Sequence, residues 1–307
     1  ELFASSIIVH NQSKTPPFPM DETADKVGED LRLTYRYLDL RRESNLNTLK
    51  LRHRASMAIR EYFDKQDFLE IETPMLFKST PEGAREFLVP SRMNEGKFYA
   101  LPQSPQQYKQ MLMVAGIERY YQLARCFRDE DLRADRQPEF TQLDIEMSFV
   151  DSDDILGLID GLMAELAKSI LGIDLPLPLP RMTYDEAMTR FGHDAPDLRF
   201  GMEIVDISDL AGAVDFQVFS KAVAAGNYVR GLNAVGAAEK YSRRKIDELT
   251  EYVKRNFGAK GLVWCKVDEN GQLASPSAKN FSPDQLASIA DRMSASPGDL
   301  LLFLADQ

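Results

Sequence analysis

Hydrophobic and polar residues recur along the chain at two different spacings, which predicts a mixture of helices and strands. From Asn45 to Phe63, apolar side chains return every three or four residues, at Leu51, Ala55, Ala58 and Tyr62. This spacing is typical of one face of an amphipathic helix. The stretch FLEIE that follows alternates with the period of a strand and runs into Thr73-Pro74. We expect a helix, then a strand, then an extended proline step.

A second pair of strands is predicted on either side of a charged segment. Tyr120 to Phe127 is strongly apolar, and Phe140 to Phe149 alternates apolar and polar residues. Two such runs joined by a charged loop favour a pair of antiparallel strands. Before them, Ser104-Pro105 predicts a helix start with Pro105 at the first helical position, and after them a helix is expected from about Asp153 to Leu171.

The remaining chain divides into segments of different composition. Residues 11–30 are rich in proline and acids and predict an extended linker. The repeat LPLPLP at 175–180 interrupts the pattern, and a composition change near Phe200 indicates a second domain. Within it, WCKV and DLLLFLA read as core strands, with Trp264 expected to pack rather than to bind a ligand. The fold class predicted is α+β.

Composition and charge exclude several classes of protein. The net charge of −11 and pI near 4.9 argue against a general nucleic-acid-binding surface. Two distant cysteines and three histidines give neither a disulfide framework nor a zinc site. There is no membrane-spanning run and no signal peptide at the first residues, so we expect the cytoplasm or an organelle matrix. The patterns at both ends start in mid-course, which suggests part of a longer protein.

The segment FRDEDLRADRQPEF carries the candidate chemistry. Such a charge-rich loop is most often solvated, with its charges paired to one another. Here, however, Arg128 ends an apolar strand, and Asp144 and Glu146 share one face of the returning strand. Unlike charges on one face suit a ligand that carries both positive and negative charge. Arginine holds a phosphate or carboxylate by two parallel hydrogen bonds, and Glu130 could accept a hydrogen bond from an amino group or help to hold magnesium. No glycine-rich phosphate loop is visible.

FRDED followed by RADRQPEFTQLDIEMSF resembles the second signature motif of class II aminoacyl-tRNA synthetases, in the form carried by aspartyl-tRNA synthetases of bacterial type. EIETPML resembles the first motif, whose helix and strand build a dimer interface. TPEGAREFLVPSR and LPQSPQQYKQ resemble the amino-acid-binding segments, and MTYDEAMTRFGHDAPDLRF resembles the lead into the inserted domain of bacterial enzymes. The implied fold is the class II antiparallel sheet with flanking helices, here incomplete, plus an inserted α+β domain. The implied domains are a linker at 1–30, the front half of the catalytic core at 31–199 and the inserted domain at 200–307.

The resemblance assigns roles residue by residue. It implies that Arg128 contacts the α-phosphate and the aspartate carbonyl and is the catalytic residue. The implied sets are, for aspartate, Glu82, Gln106, Lys109, Arg128 and Asp144; for ATP, Arg128, Asp129, Glu130 and Gln137; and for the tRNA acceptor end, Arg133 and Arg136. Charge supports the assignment, because Asp144 suits the ammonium of aspartate and Lys109 suits the side-chain carboxylate that separates aspartate from asparagine. Without the motif, Lys109 would read as an exposed helix lysine and Arg133 and Arg136 as surface ion pairs.

The implied function is an aspartate–tRNA ligase that uses ATP and Mg²⁺. It would charge tRNA-Asp, and tRNA-Asn is left open as a second substrate. The implied homodimer forms through the helix and strand around Asn45 to Pro74. The third signature motif, the downstream aspartate-site arginine and histidine, and the N-terminal anticodon-binding barrel have no counterpart in these residues. We therefore expect the chain alone to be inactive, with most magnesium ligands lying downstream and no metal site of its own. Two alternatives stay open: an aspartate-activating paralogue that passes aspartate to ammonia, as asparagine synthetase does, and a non-catalytic binding paralogue.

Overall fold

The computed structural model describes residues 3–80, 82–133 and 135–306. By its contacts the chain divides into two compact units, between Leu179 and Pro180. The boundary predicted from the sequence lay at 199–200. Residues 180–199 belong to the second unit, in which Arg190 on the first helix pairs with Glu203 next to the first strand. The functional labels given to the three ranges stay predictions.

The first unit contains five helices and five strands among its described residues. The helices are α1 (Glu29–Thr34), α2 (Arg36–Asp39), α3 (Glu43–Asp64), α4 (Gln106–Val114) and α5 (Ser152–Leu166), which continues as one π-helical turn over Ala167–Leu171. The strands are β1 (Leu69–Glu70), β2 (Leu88–Pro90), β3 (Phe98–Ala100), β4 (Arg119–Phe127) and β5 (Glu139–Met147).

β1, β4 and β5 form one sheet in that order, with β1 parallel to β4 and β5 antiparallel to it. α3 and α5 cover one face of this sheet, where Phe63 stacks on Tyr121 at 4.7 Å and Leu162 completes the buried cluster. The predicted helix, the strand after it and the antiparallel hairpin are therefore confirmed. Asp67, in the tight turn from α3 into β1, has φ 58°, a left-handed conformation that aspartate tolerates better than most residues.

Three local predictions were wrong. Part of the predicted extended linker forms a 3-10 turn, Glu22–Lys26, in which Asp25 forms an ion pair with Arg42, and Phe18 and Ala24 are buried. Pro105 is the N-cap of α4 rather than its first helical residue. β5 ends at Met147, and Phe149, at φ 60°, is almost fully exposed.

The second unit is also α+β. Its helices are α6 (Tyr184–Phe191), α7 (Ser208–Ala211), α8 (Gln217–Ala224), α9 (Arg243–Phe257) and α10 (Pro283–Arg292), and its strands are β6 (Ile204–Asp206), β7 (Tyr228–Ala234), β8 (Val263–Val267), β9 (Leu273–Ala274) and β10 (Leu300–Asp306). The strands form one antiparallel sheet in the order β6-β7-β10-β8-β9. Both predicted core strands are present, and Trp264 packs with Ile246 and Leu300, as expected. No helix among the described residues is long and apolar enough to cross a membrane.

Candidate functional site

The register of β4 and β5 decides which polar side chains share a face of the first sheet. Tyr120 lies opposite Glu146, and Gln122 lies opposite Asp144. Opposed residues in an antiparallel pair point to the same side, so all four lie on the face away from the α3–α5 core. The prediction that Asp144 and Glu146 share a face is confirmed.

Lys109, on α4, lies over this face and brings a cation to the two carboxylates. Its Nζ is 2.8 Å from Oδ1 of Asp144 and 3.3 Å from Oε2 of Glu146. The side chains of Lys109 and Asp144 are only 10% and 11% exposed. Within the described residues, Oδ2 of Asp144 is buried and has no hydrogen-bond partner. The cluster therefore contains two carboxylates and one ammonium group, and Oδ2 of Asp144 is free to accept a further hydrogen bond.

A second layer of hydrogen bonds lies beside this cluster. The buried Tyr120 hydroxyl donates to Oε1 of Gln122 at 2.8 Å, and the Thr73 hydroxyl donates to the same oxygen at 3.0 Å. Burial, and next the charge of Asp144, raise the pKa of the Tyr120 phenol well above its ordinary value. Tyr120 therefore stays neutral and acts as a fixed donor.

Glu82 lies on the loop between Thr80 and Ala84. The Ser104 hydroxyl donates to Oε2 of Glu82 at 2.7 Å, and the Thr80 hydroxyl donates to Oε1 at 3.1 Å. Ser104 Oγ also accepts from the backbone N–H of Gln106 at 3.3 Å, at the start of α4. These contacts fasten the loop to the turn that carries α4, so Glu82 and Gln106 lie close together.

Arg128 lies at the far end of the hairpin. Its backbone N–H donates to the Pro138 carbonyl at 2.9 Å, and its guanidinium carbon is 5.0 Å from the centre of the Phe140 ring. A cation over an aromatic face is held in place while its N–H groups stay available. Among the described residues no carboxylate lies within ion-pair distance of this guanidinium.

The charged loop encloses a cavity of about 340 Å³ next to Arg128. Its lining comprises Arg128, Glu130, Asp131, Leu132, Asp135, Arg136, Gln137 and Phe140. Glu130 and Arg136 approach each other to 3.6 Å across it, while Asp129 is exposed and its N–H donates to the Arg85 carbonyl at 2.9 Å. Arg133 is exposed, and its backbone forms a bridge with Arg136. Of the residues predicted in this segment, Arg128, Glu130, Arg136 and Gln137 line this open, polar cavity, whereas Asp129 and Arg133 are not part of its lining.

Cys126 lies on β4 between the Lys109 cluster and Arg128. It is fully buried, and its Sγ lies 3.1 Å from Oε1 of Gln142. Burial is the largest cause and the charge of Asp144 the second of a raised pKa of about 11 for its thiol, although the charge of Arg128 opposes the shift. The thiol is neutral at pH 7, so it serves as packing between the two charged regions rather than as a nucleophile.

Comparison with known proteins identifies the family. The sequence model of the family described as tRNA synthetases class II (D, K and N) matches residues 28–287. The chain belongs to this family. The resemblance and the fold class inferred from the sequence are therefore confirmed.

Individual class II relatives are similar over the whole chain. The aspartate–tRNA(Asp/Asn) ligase of Rhodopirellula baltica is 62% identical over 294 residues, which are 96% of this chain and 50% of that protein. The aspartate–tRNA ligase of Geobacillus kaustophilus is 56% identical over 307 residues, or 100% of this chain and 52% of that protein. The aspartate–tRNA(Asp/Asn) ligase of Bacillus subtilis is 54% identical over 307 residues, which are 100% of this chain and 52% of that protein. The chain spans about half the length of the curated relatives it matches.

In this class II chain the predicted site residues fall into two groups. Glu82, Gln106, Lys109 and Asp144 gather beside α4, whereas Arg128, Glu130, Gln137 and Arg136 line the hairpin cavity. Phe140 and Asp144 are four residues apart on one face of β5, which is about 13 Å at strand spacing. An elongated ligand can reach both groups.

Several residues of the site were not assigned from the sequence. Glu146 was placed on the correct face by strand alternation but received no role, although it contacts Lys109. Gln122 and Tyr120 sit on β4 within an apolar run, and only the cross-strand register brings them beside Asp144. Gln103 and Ser104 sit in the LPQSPQQYKQ segment, which was matched to an amino-acid-binding segment, but only Gln106 and Lys109 in it received roles.

The described residues do not provide a metal centre. No three His, Cys, Asp or Glu side chains in that part of the chain are positioned to hold a metal ion together.

Proposed function

We propose that this chain provides the aspartate site and part of the ATP site of an aspartate–tRNA ligase. The observation that carries the proposal is the Lys109–Asp144–Glu146 cluster, in which Lys109 and Asp144 are nearly buried and Glu146 is partly exposed, within reach of the Arg128 cavity. The names of the relatives at 54–62% identity support the same substrate. Family membership supports the class of reaction.

Charge complementarity assigns the aspartate contacts. The ammonium of aspartate would bind Asp144, whose Oδ2 is an open acceptor in a buried place, and Glu82 would close over it from the loop. Lys109 would bind the side-chain carboxylate. Gln106, at the first turn of α4, would donate to the same substrate. Asparagine carries a neutral amide in place of that carboxylate, so a buried lysine discriminates against it.

The Arg128 cavity would take the phosphates and adenine of ATP. In the proposed first step, an α-carboxylate oxygen of aspartate bonds to the α-phosphorus of ATP, and the bond between that phosphorus and the bridging oxygen to the β-phosphate breaks. Pyrophosphate leaves, and aspartyl-adenylate remains. Arg128 would hold the α-phosphate by parallel hydrogen bonds and stabilise charge that grows in the transition state. Asp129, Glu130 and Gln137 would orient the nucleotide, and magnesium bound by the phosphates would neutralise their charge.

In the second step, a ribose hydroxyl at the 3′ end of the tRNA attacks the aspartyl carbonyl carbon. The bond between that carbon and the phosphate oxygen breaks, and AMP leaves with the proton of the hydroxyl group on its phosphate. Arg133 and Arg136 are exposed on the hairpin loop and would meet the acceptor end. The proposed substrate is tRNA-Asp, extended to tRNA-Asn if this chain shares the double specificity in its relatives' names. The reaction needs no side-chain nucleophile, only positioning and charge.

We also propose a homodimer through α3 and β1. This region, from Asn45 to Pro74, leaves several large apolar side chains exposed: Leu46, Leu49, Leu51, Met57 and Leu69. A second copy that covers them would remove this apolar area from water. The proposed location is the cytoplasm, or the mitochondrial matrix in a eukaryotic cell.

The test uses a chimera in which this chain replaces the matching 294 residues of the Rhodopirellula baltica relative. We expect aspartate-dependent exchange of pyrophosphate into ATP. Arg128→Lys should lower kcat/KM about 100-fold, because the parallel hydrogen bonds to the α-phosphate are lost. The matched control, Arg199→Lys, changes an exposed arginine that pairs with Asp197 and should leave exchange unchanged. A folded chimera without exchange would contradict the proposal.

A further inference from the structure

Gln103 makes an unusual pair of contacts with the loop that carries Glu82. The Ala84 backbone N–H donates to Oε1 of Gln103 at 3.0 Å, and Nε2 of Gln103 donates to the Ala84 carbonyl at 2.9 Å. Gln103 is only 2% exposed. One buried side-chain amide thus satisfies both backbone groups of a single loop residue, as a neighbouring strand would.

The same loop is held at its other end. The Thr80 backbone N–H donates to Oε1 of Glu86 at 2.7 Å, and Thr80 is buried. Burial alone would raise the pKa of Glu86, but hydrogen bonds from Ser79, Thr80 and Gln103 outweigh it and hold that pKa below its ordinary value. Glu86 is therefore ionised and a permanent acceptor. Both ends of the loop are fixed, and Glu82 lies between them.

Gln103 and its neighbour Ser104 hold alternate residues of the loop. Gln103 binds Ala84, and Ser104 binds Glu82 at 2.7 Å. Gly83, the residue between the two, has φ 102°, a conformation that needs glycine. The Glu82 carboxylate is thus held by the Ser104 and Thr80 hydroxyls, and Gln103 holds the backbone two residues after Glu82.

We propose that Gln103 is a positioning residue that fixes Glu82 for binding of the amino-acid substrate. Gln103 acts through Ala84 and touches no reacting atom. This inference rests on the proposed function, because it takes Glu82 to close over the aspartate ammonium. An amide is required at position 103, since the contact needs one donor and one acceptor in the same plane.

The test compares Gln103→Met with Gln110→Met in the chimera described above. Methionine has a similar length but can neither donate nor accept strongly. Gln110 is exposed on α4 and is the matched control. For Gln103→Met we expect the KM for aspartate in pyrophosphate exchange to rise about tenfold, the effect of losing one to two net hydrogen bonds. The KM for ATP and kcat should stay within twofold, and Gln110→Met should change nothing.

Hydrogen exchange at the Ala84 amide gives a second readout that does not depend on catalysis. In this chain the Ala84 N–H should exchange at least tenfold faster in Gln103→Met, and exchange in β4 should be unchanged. Gln103→Glu keeps the acceptor for Ala84 N–H but places a carboxylate against the Ala84 carbonyl, so it should raise the KM for aspartate at least as much as methionine.

The outcomes separate this inference from the proposed function. An active chimera whose KM for aspartate is unchanged by Gln103→Met overturns the positioning role. If Gln103→Met lowers kcat, raises both KM values and removes the hydrogen-exchange protection of β4 together, the positioning role is also overturned. Such a uniform change would show that Gln103 is a purely structural residue. A folded, unmodified chimera without exchange overturns the proposed function instead, while the Ala84 exchange rate still tests the clamp.

Discussion

Replacing Lys109 by methionine should destabilise the first unit strongly. The substitution leaves Asp144 and Glu146 as neighbouring carboxylates without their shared cation. At 2.8 Å and 3.3 Å, with an effective dielectric constant of 20, the two lost attractions are each about 5 to 6 kcal/mol before desolvation is counted. Removing one partner of a buried pair costs about 3 kcal/mol or more net, because the remaining charge stays buried.

Pulse-labelling hydrogen exchange across a urea series measures this change in each unit separately. Peptides from β4 and β5 report the first unit, and peptides from β7 and β10 report the second. With an m value of about 2 kcal/mol/M, a loss of about 3 kcal/mol lowers the urea midpoint of the first unit by about 1.5 M. The added change Asp144→Asn should restore at least about 1 kcal/mol, because it removes the uncompensated charge.

Lys168→Met is the matched control for this prediction. Lys168 pairs with Asp174 at 2.6 Å, but the two side chains are 60% and 81% exposed. Exposed pairs contribute about 0 to 1 kcal/mol, so the midpoint should hardly move. If Lys109→Met costs no more than Lys168→Met, the claim that burial strengthens the cluster is refuted.

Three further predictions concern other parts of the molecule. Asp299→Asn should lower the unfolding free energy of the second unit by about 2 kcal/mol in the same urea assay, because the buried carboxylate accepts from two backbone N–H groups and one side-chain amide. Burial opposes the ionisation of Asp299, yet these hydrogen bonds hold its pKa below the ordinary value. The stability that the ionised carboxylate contributes should therefore be present at neutral pH and fade as pH falls through the lowered pKa. In the variant this contribution should be absent at every pH. Burial raises the pKa of both thiols, Cys126 and Cys265, to about 11 from an ordinary value of 9.0; their contribution to stability should be lost as pH rises from about 9 to 11, and a disulfide reagent should label neither at pH 8 before urea unfolds the chain. Leu49→Asp on α3 should shift sedimentation from dimer to monomer, whereas Leu171→Asp, also exposed but outside α3, should not; a monomeric parent would contradict the dimer.

Local pattern predicted the parts of the site that lie within one strand. Alternation in β5 placed Asp144 and Glu146 on one face, and the position of Arg128 at the end of β4 followed from the apolar run before it. Helix periodicity gave α3 almost to its ends. These features depend on neighbours in the sequence, which the chain's own pattern reports.

Contacts between distant residues could not be predicted in this way. Gln103 and Ala84 are 19 positions apart, and Lys109 and Asp144 are 35 apart. The 3-10 turn within the predicted linker likewise includes a distant contact, the pairing of Asp25 with Arg42, 17 positions away. In each case the contact joins residues that no local pattern in the sequence relates.

The amino-acid dependence of pyrophosphate exchange tests the central claim most directly. The measurement compares aspartate with asparagine in the chimera with the Rhodopirellula baltica relative, and repeats both with Lys109→Met. The account predicts exchange with aspartate, at least about 100-fold weaker exchange with asparagine, and loss of that preference when Lys109 is replaced. Equal exchange with both amino acids, or a preference that survives without Lys109, would contradict it.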